Sequence, residues 1–254
     1  MITVSEAQLT AWLSLWLWPF LRVLALCSSA PVLSHRSVPA RLRIGLSLAV
    51  SVLIAGLVPS PPPVPLMSAQ AGAIAMQQVL IGLTVGFAAR LVFAAFELAG
   101  EIIGLQMGFG FAGYFDPQSN SSGTSISSFL GATGTLLFIA LGGHLLLLLA
   151  VVSSFDAFPI SDMPFDFLAR ANPLQWGTLL FRTALLVALP FVALLLFVNL
   201  ALGVISRVAP QFNITAVGFS ATILVGLTGL AAGLPMLEQP MNDALMQVLS
   251  AFQA

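Results

Sequence analysis

The chain has 254 residues, 59% of them hydrophobic and 7% charged, with a mean hydropathy of +1.04 and a net charge of −1. Soluble domains carry roughly 25% charged residues, so this composition describes an all-α, polytopic, membrane-type protein. Lysine is absent, eight arginines face nine acids without forming a basic tract for nucleic acid, and the lone Cys27 excludes an intrachain disulfide and CxxC-type metal or redox sites.

At about 20 apolar residues per span, six long helices are expected near 8–30, 42–59, 72–96, 126–152, 176–204 and 212–234, all within one domain covering 1–254. The first is expected to remain in the mature chain, because no Lys or Arg precedes Arg22 and Trp12, Trp16 and Trp18 cluster at one end, unlike a cleaved signal. Proline punctuates the connections: Pro31 and Pro39, then Pro59, Pro61 to Pro63 and Pro65, later Pro159 and Pro164, and finally Pro210. Pro210 is expected to end the fifth helix near Ala209 and open a hairpin to the sixth. Arg36, Arg41 and Arg43 place the first connection in the cytoplasm by the positive-inside rule. Alternation then puts Arg207 on the same side and both termini outside, although the connection Glu97–Ser125 carries no cation.

In the third segment, Arg90, Glu97 and Glu101 fall within about 40° of one another on a helical wheel, a charged stripe on an apolar helix. Lipid is a poor neighbour for such a stripe, which calls for a bundle interior, a partner subunit or water. Glycines at four-residue spacing (Gly82 and Gly86; Gly100, Gly104 and Gly108; Gly229 and Gly233) form ridges that let helices approach closely.

Next comes GLQMGFGFAGYFDPQ, from Gly104 to Gln118, glycine-broken and Phe-rich, with no charge before Asp116. Irregular backbone at membrane depth is tolerated where protein buries it or where it lines a cavity. Its glycines, with Phe109, Phe111 and Phe115, suit a pliable apolar constriction that excludes water and ions by dewetting. Gly108, Gly110 and Gly113 also spell GxGxxG, but a helical segment precedes them and no acid lies between Asp116 and Asp156, so no dinucleotide site is expected. His144 lies in an apolar segment without acid or base neighbours and reads as a hydrogen-bonded packing residue. Asp156, Asp162 and Asp166 lack the spacing of a calcium loop and read as solvated. Nothing matches HExxH, a P-loop or a serine nucleophile elbow, so no catalytic residue, cofactor or metal is expected.

Four stretches resemble the FliR/SctT family of type III export-gate proteins: SVPARLRIGLSLAVS at Ser37–Ser51, IGLQMGFGFAGYFDPQ at Ile103–Gln118, GGH at Gly142–His144 and SRVAPQFNITAVGF at Ser206–Phe219. They occur in the family's order over effectively the whole chain; members often carry Asn where this chain has Gly142. The resemblance implies a structural and gating subunit of the flagellar export apparatus, in the bacterial inner membrane at the basal body. It implies a helical assembly with FliP-like and FliQ-like subunits, rising out of the bilayer plane, beside an FlhB-like export switch protein and membrane lipid. Unfolded flagellar subunits would pass through it. It further implies that a loop over 104–124 plugs the resting pore, with Met107, Gly108, Phe109, Gly110, Phe111, Gly113, Tyr114 and Phe115 as the stopper. Arg90, Glu97, Gly100, Glu101, Gly104, Arg207, Pro210 and Asn213 become helix or subunit contacts. A virulence-type injectisome subunit is the alternative within this resemblance. Outside it, a secondary transporter would show repeat symmetry, of which only Ala30-Pro31 echoing Ala209-Pro210 is visible.

Overall fold

Helix is the only regular structure among the described residues of the computed structural model, which are 6–58, 64–65, 67–111, 123–163, 165, 167, 173–209 and 214–252. The first helix, α1 (Glu6–Ser29), turns into α2 (Ala40–Ile54), whose extended entry is set by Pro39 at φ −60° and ψ 142°. α2 buries Ser47, Val50, Ser51 and Ile54. The Ser47 and Ser51 hydroxyls donate to the carbonyls of Arg43 (2.7 Å) and Ser47 (2.6 Å), so this narrow polar seam satisfies itself. With 15 residues α2 is about 22 Å long, short of the roughly 30 Å hydrocarbon core.

The next helix, α3 (Ala69–Gln106), is 38 residues long and runs past the segment expected to end at 96, taking in Glu97, Gly100, Glu101 and Gly104. No proline interrupts that stretch, and Ser68 opens it by accepting the Ala71 N–H at 3.1 Å. The apolar run 126–152 forms two helices, α4 (Ser125–Ala140) and α5 (Gly143–Ala157), separated at Gly142, whose φ is 69°. This break moves His144 to the first turn of α5, where it is exposed rather than packed, contrary to the expectation from hydropathy.

α6 (Pro173–Val208) spans 36 residues and ends just before Pro210; α7 (Ile214–Gly233) passes through a 3-10 turn (Leu234–Leu237) into α8 (Glu238–Ser250). α8 was not among the six apolar segments. Glu238, Gln239, Asn242, Asp243 and Gln247 dilute its hydropathy, yet Met241, Ala244, Leu245 and Val248 are buried at helical spacing. Pro19 and Pro190 lie inside α1 and α6 rather than at boundaries. Among the described residues four helical stretches are long and apolar enough to cross a membrane, or five if α4 and α5 count as one span.

Two compact units divide the chain. One holds α1, α2, α3 through Leu91, α5, the start of α6 through Trp176, and the end of α8 from Leu245. At its centre Arg22, 0% exposed, is held without a carboxylate. Its Nε donates to Gln78 Oε1 at 2.8 Å, one terminal nitrogen to the Ser154 carbonyl (2.8 Å) and hydroxyl (3.0 Å), and the other to the Phe158 carbonyl at 2.9 Å. The guanidinium also stacks 3.7 Å over the Phe155 ring. Gln78 donates onward to Gln77, which donates to the Pro159 carbonyl and Ser161 hydroxyl and accepts the Ser161 N–H. Gly82 and Gly86 let α3 lie directly on α1, against the Arg22 carbonyl, Ala25, Ser29 and Ala30.

The other unit holds α3 from Val92, α4, α6 from Gly177, α7, the 3-10 turn and the start of α8. Phe96, Ile103, Met107, Leu130, Phe138, Phe191, Leu195, Leu230 and Met241 form its core. Gly134 makes room for Phe96 and Met241, and Gly233 for the Phe191 ring.

Candidate functional site

Within this second unit two described stems flank the Gly/Phe-rich run, one before it and one after it. The outgoing stem is the end of α3. The Met107 N–H donates to the Ile103 carbonyl at 2.9 Å, and the Met107 carbonyl accepts the Thr222 hydroxyl of α7 at 3.1 Å. The Met107 side chain is fully buried, resting on α7 at Gly226, where any Cβ would come within 2.7 Å of its Sδ, Cγ and Cε. Met107, expected in the stopper, is therefore packed into the outgoing stem. Gly108 follows at φ 94°, a left-handed conformation that stops α3, with the Phe219 ring packed against it. Phe109 to Phe111 then form one 3-10 turn in which Phe109 and Gly110 are half-buried.

The returning stem begins at Gly123, φ 125°. Thr124 caps α4, its hydroxyl accepting the Ser127 N–H at 3.2 Å, while its own N–H donates to Glu101 Oε2 at 2.8 Å. A carboxylate on the first N–H groups of a helix also meets the positive end of the helix dipole. Ser127 Oγ donates to the Glu97 carbonyl at 2.9 Å. Gly100 and Gly104 are buried, and their missing side chains let Ser127 and Thr124 sit directly on α3.

The expected interface residues thus divide by environment. Glu101 is half-buried and Gly100 and Gly104 are buried, all three used within the chain to hold α4. The Glu97 carboxylate is exposed, lying over Gly131; Arg90 and Arg207 are exposed, the latter in the last turn of α6. Gly113, Tyr114, Phe115, Pro210 and Asn213 lie outside the described residues, as does the side chain of Phe111. Sequence reasoning missed Thr124, Thr222, Gly226 and Phe219 as anchors. Isolated hydroxyls and glycines in apolar helices were the available signal, since a buried hydroxyl needs a partner.

Residues 13–248 match the family described as bacterial export proteins, family 1. The flagellar biosynthetic protein FliR of Escherichia coli K12 is 42% identical over 237 residues, covering 93% of this chain and 90% of the relative. The FliR proteins of Bacillus subtilis (32% over 214 residues, 81% and 80% covered) and Aquifex aeolicus (27% over 252 residues, 99% and 95%) are also similar. The family match runs through both compact units, and similarity to the Escherichia coli relative extends over nearly all of either chain. On those grounds the chain belongs to the FliR group of the bacterial export proteins, family 1.

Proposed function

We propose that this chain, a membrane component of the flagellar export apparatus, builds with FliP-like and FliQ-like subunits the passage through which unfolded flagellar proteins leave the cytoplasm. Its place is the inner membrane at the flagellar basal body, beside an FlhB-like switch protein. The segment from Gly108 to Gly123 closes the passage at rest. One observation carries this reading: the segment that holds the aromatic run is flanked by two anchored stems, one ending at Gly108 and the other beginning at Gly123, each a glycine of positive φ.

Rings of Phe109, Phe111, Tyr114 and Phe115 gathered in a narrow bore would keep water and ions out by dewetting, at no covalent cost. Gly108, Gly110 and Gly113 let the run fold aside when a substrate pushes through, while Met107 and Thr124 hold its ends. No chemical step is assigned to the chain. Helix lengths support a shared assembly: α3 and α6, at 38 and 36 residues, measure about 57 and 54 Å, well beyond the roughly 30 Å that lipid can cover. Partner subunits are assigned to the remainder, and to the exposed Arg90, Glu97 and Arg207.

Deleting Gly108–Gly113 in cells carrying the complete assembly is expected to raise ion leak above the wild-type level without lowering the amount of assembled complex. A deletion complex of normal abundance and unchanged conductance would remove the gating role.

A further inference from the structure

We propose that the turn between α1 and α2 is a docking face for anionic phospholipid headgroups, held by Arg36 and Arg41. The turn is a fixed structure. One terminal nitrogen of Arg43 donates to the carbonyls of Ser34 (3.3 Å), His35 (3.0 Å) and Val38 (3.1 Å), and the Ser34 and Val38 N–H groups close on the Ala30 and His35 carbonyls at 3.0 Å each. Arg43 is thereby committed to the fold. The side chains of Arg36 and Arg41 are exposed and make no hydrogen bond among the described residues, and the sequence holds no acid between Glu6 and Glu97 to neutralise them.

What adjoins these cations identifies the occupant. α2 carries Leu42 (61% exposed), Ile44 (50%), Leu48 (54%) and Leu53 (75%) directly onward from Arg41. A phosphate layer above acyl chains complements both halves of that surface, whereas an acidic peptide or a free anion satisfies only the guanidinium groups. The short α2 reinforces the assignment, since a helix of about 22 Å seated with its basic end at the headgroups stops within one bilayer. Guanidinium suits the site because its planar fork binds two phosphate oxygens at once. The proposal depends on the chain lying in a membrane and is independent of the gating role.

The test is native mass spectrometry of the complete assembly, purified in detergent and offered equal amounts of phosphatidylglycerol and phosphatidylcholine. The wild type is expected to retain phosphatidylglycerol preferentially, and an R36Q/R41Q variant to lose that preference by roughly thirtyfold. An R182Q variant, which removes an exposed cation from α6, is expected to keep it. An unchanged preference in R36Q/R41Q, an equal loss in R182Q, or photo-crosslinkers at positions 36 and 41 capturing a polypeptide instead of lipid would each overturn the proposal.

Discussion

Replacing Arg22 by Met is expected to destabilise the first unit by roughly 3–5 kcal/mol, because a side chain of similar reach but no donors strands the groups it served. The Gln78 amide oxygen and the Ser154 and Phe158 carbonyls would lose charge-assisted hydrogen bonds in a site that water does not reach. Arg22→Lys should recover only part of the loss, since an ammonium group has three donors around one point and cannot stack as a plane over Phe155. The double variant Arg22→Met/Gln78→Met should be less unstable than the sum of the two singles, as removing both partners leaves fewer orphaned groups. Thermal unfolding of the detergent-solubilised assembly measures this. A midpoint for Arg22→Met equal to wild type would show that the arginine is not the keystone of that unit.

Gly100→Leu is expected to act on the second unit and on the closed state together. A Cβ at position 100 would lie 2.8 Å from the Ile126 carbonyl oxygen and 2.9 Å from the Ser127 nitrogen. Those are backbone atoms of the first turn of α4, so a rotamer change cannot relieve the clash. Displacing that turn breaks the Thr124 N–H bond to Glu101 and the Ser127 hydroxyl bond to Glu97. Overpacking and a lost cap together amount to about 3 kcal/mol, or about 10 °C in unfolding midpoint for a chain of this size. Because the same turn is the returning stem of the aromatic run, ion leak should rise with it. Glu101→Gln, which keeps an oxygen for the Thr124 N–H, should change both readouts far less. A Gly100→Leu assembly with wild-type midpoint and leak would contradict the anchoring described for the returning stem.

Membrane class and helical architecture were legible from composition because hydropathy integrates over tens of residues and tolerates local error. Elements that depend on neighbours were not. α2 is apolar but too short to span, α4 and α5 separate at a single left-handed glycine, and α8 is amphipathic with little net hydropathy. The Gly/Phe run stood out because glycine and aromatic residues between long helices have few structural uses; Gly82, Gly86, Gly100 and Gly104 do lie at close helix contacts, whereas Gly108, expected in the same row, lies beyond the end of α3 in a left-handed conformation. Partner identities within the chain stayed hidden. A wheel places Glu101 beside Glu97 but cannot reveal that one carboxylate caps α4 while the other is exposed. Arg22 was equally opaque, since its partners lie 56 to 136 residues away along the chain.

The most direct measurement is an electron cryo-microscopy map of the closed assembly, resolved well enough to place the rings of Phe109, Phe111, Tyr114 and Phe115. Convergence of those rings on the central axis, with Met107 and Thr124 holding the stems at the wall, is the predicted result. Rings lying against acyl chains at the outer surface, with an open bore at the same level, would contradict it.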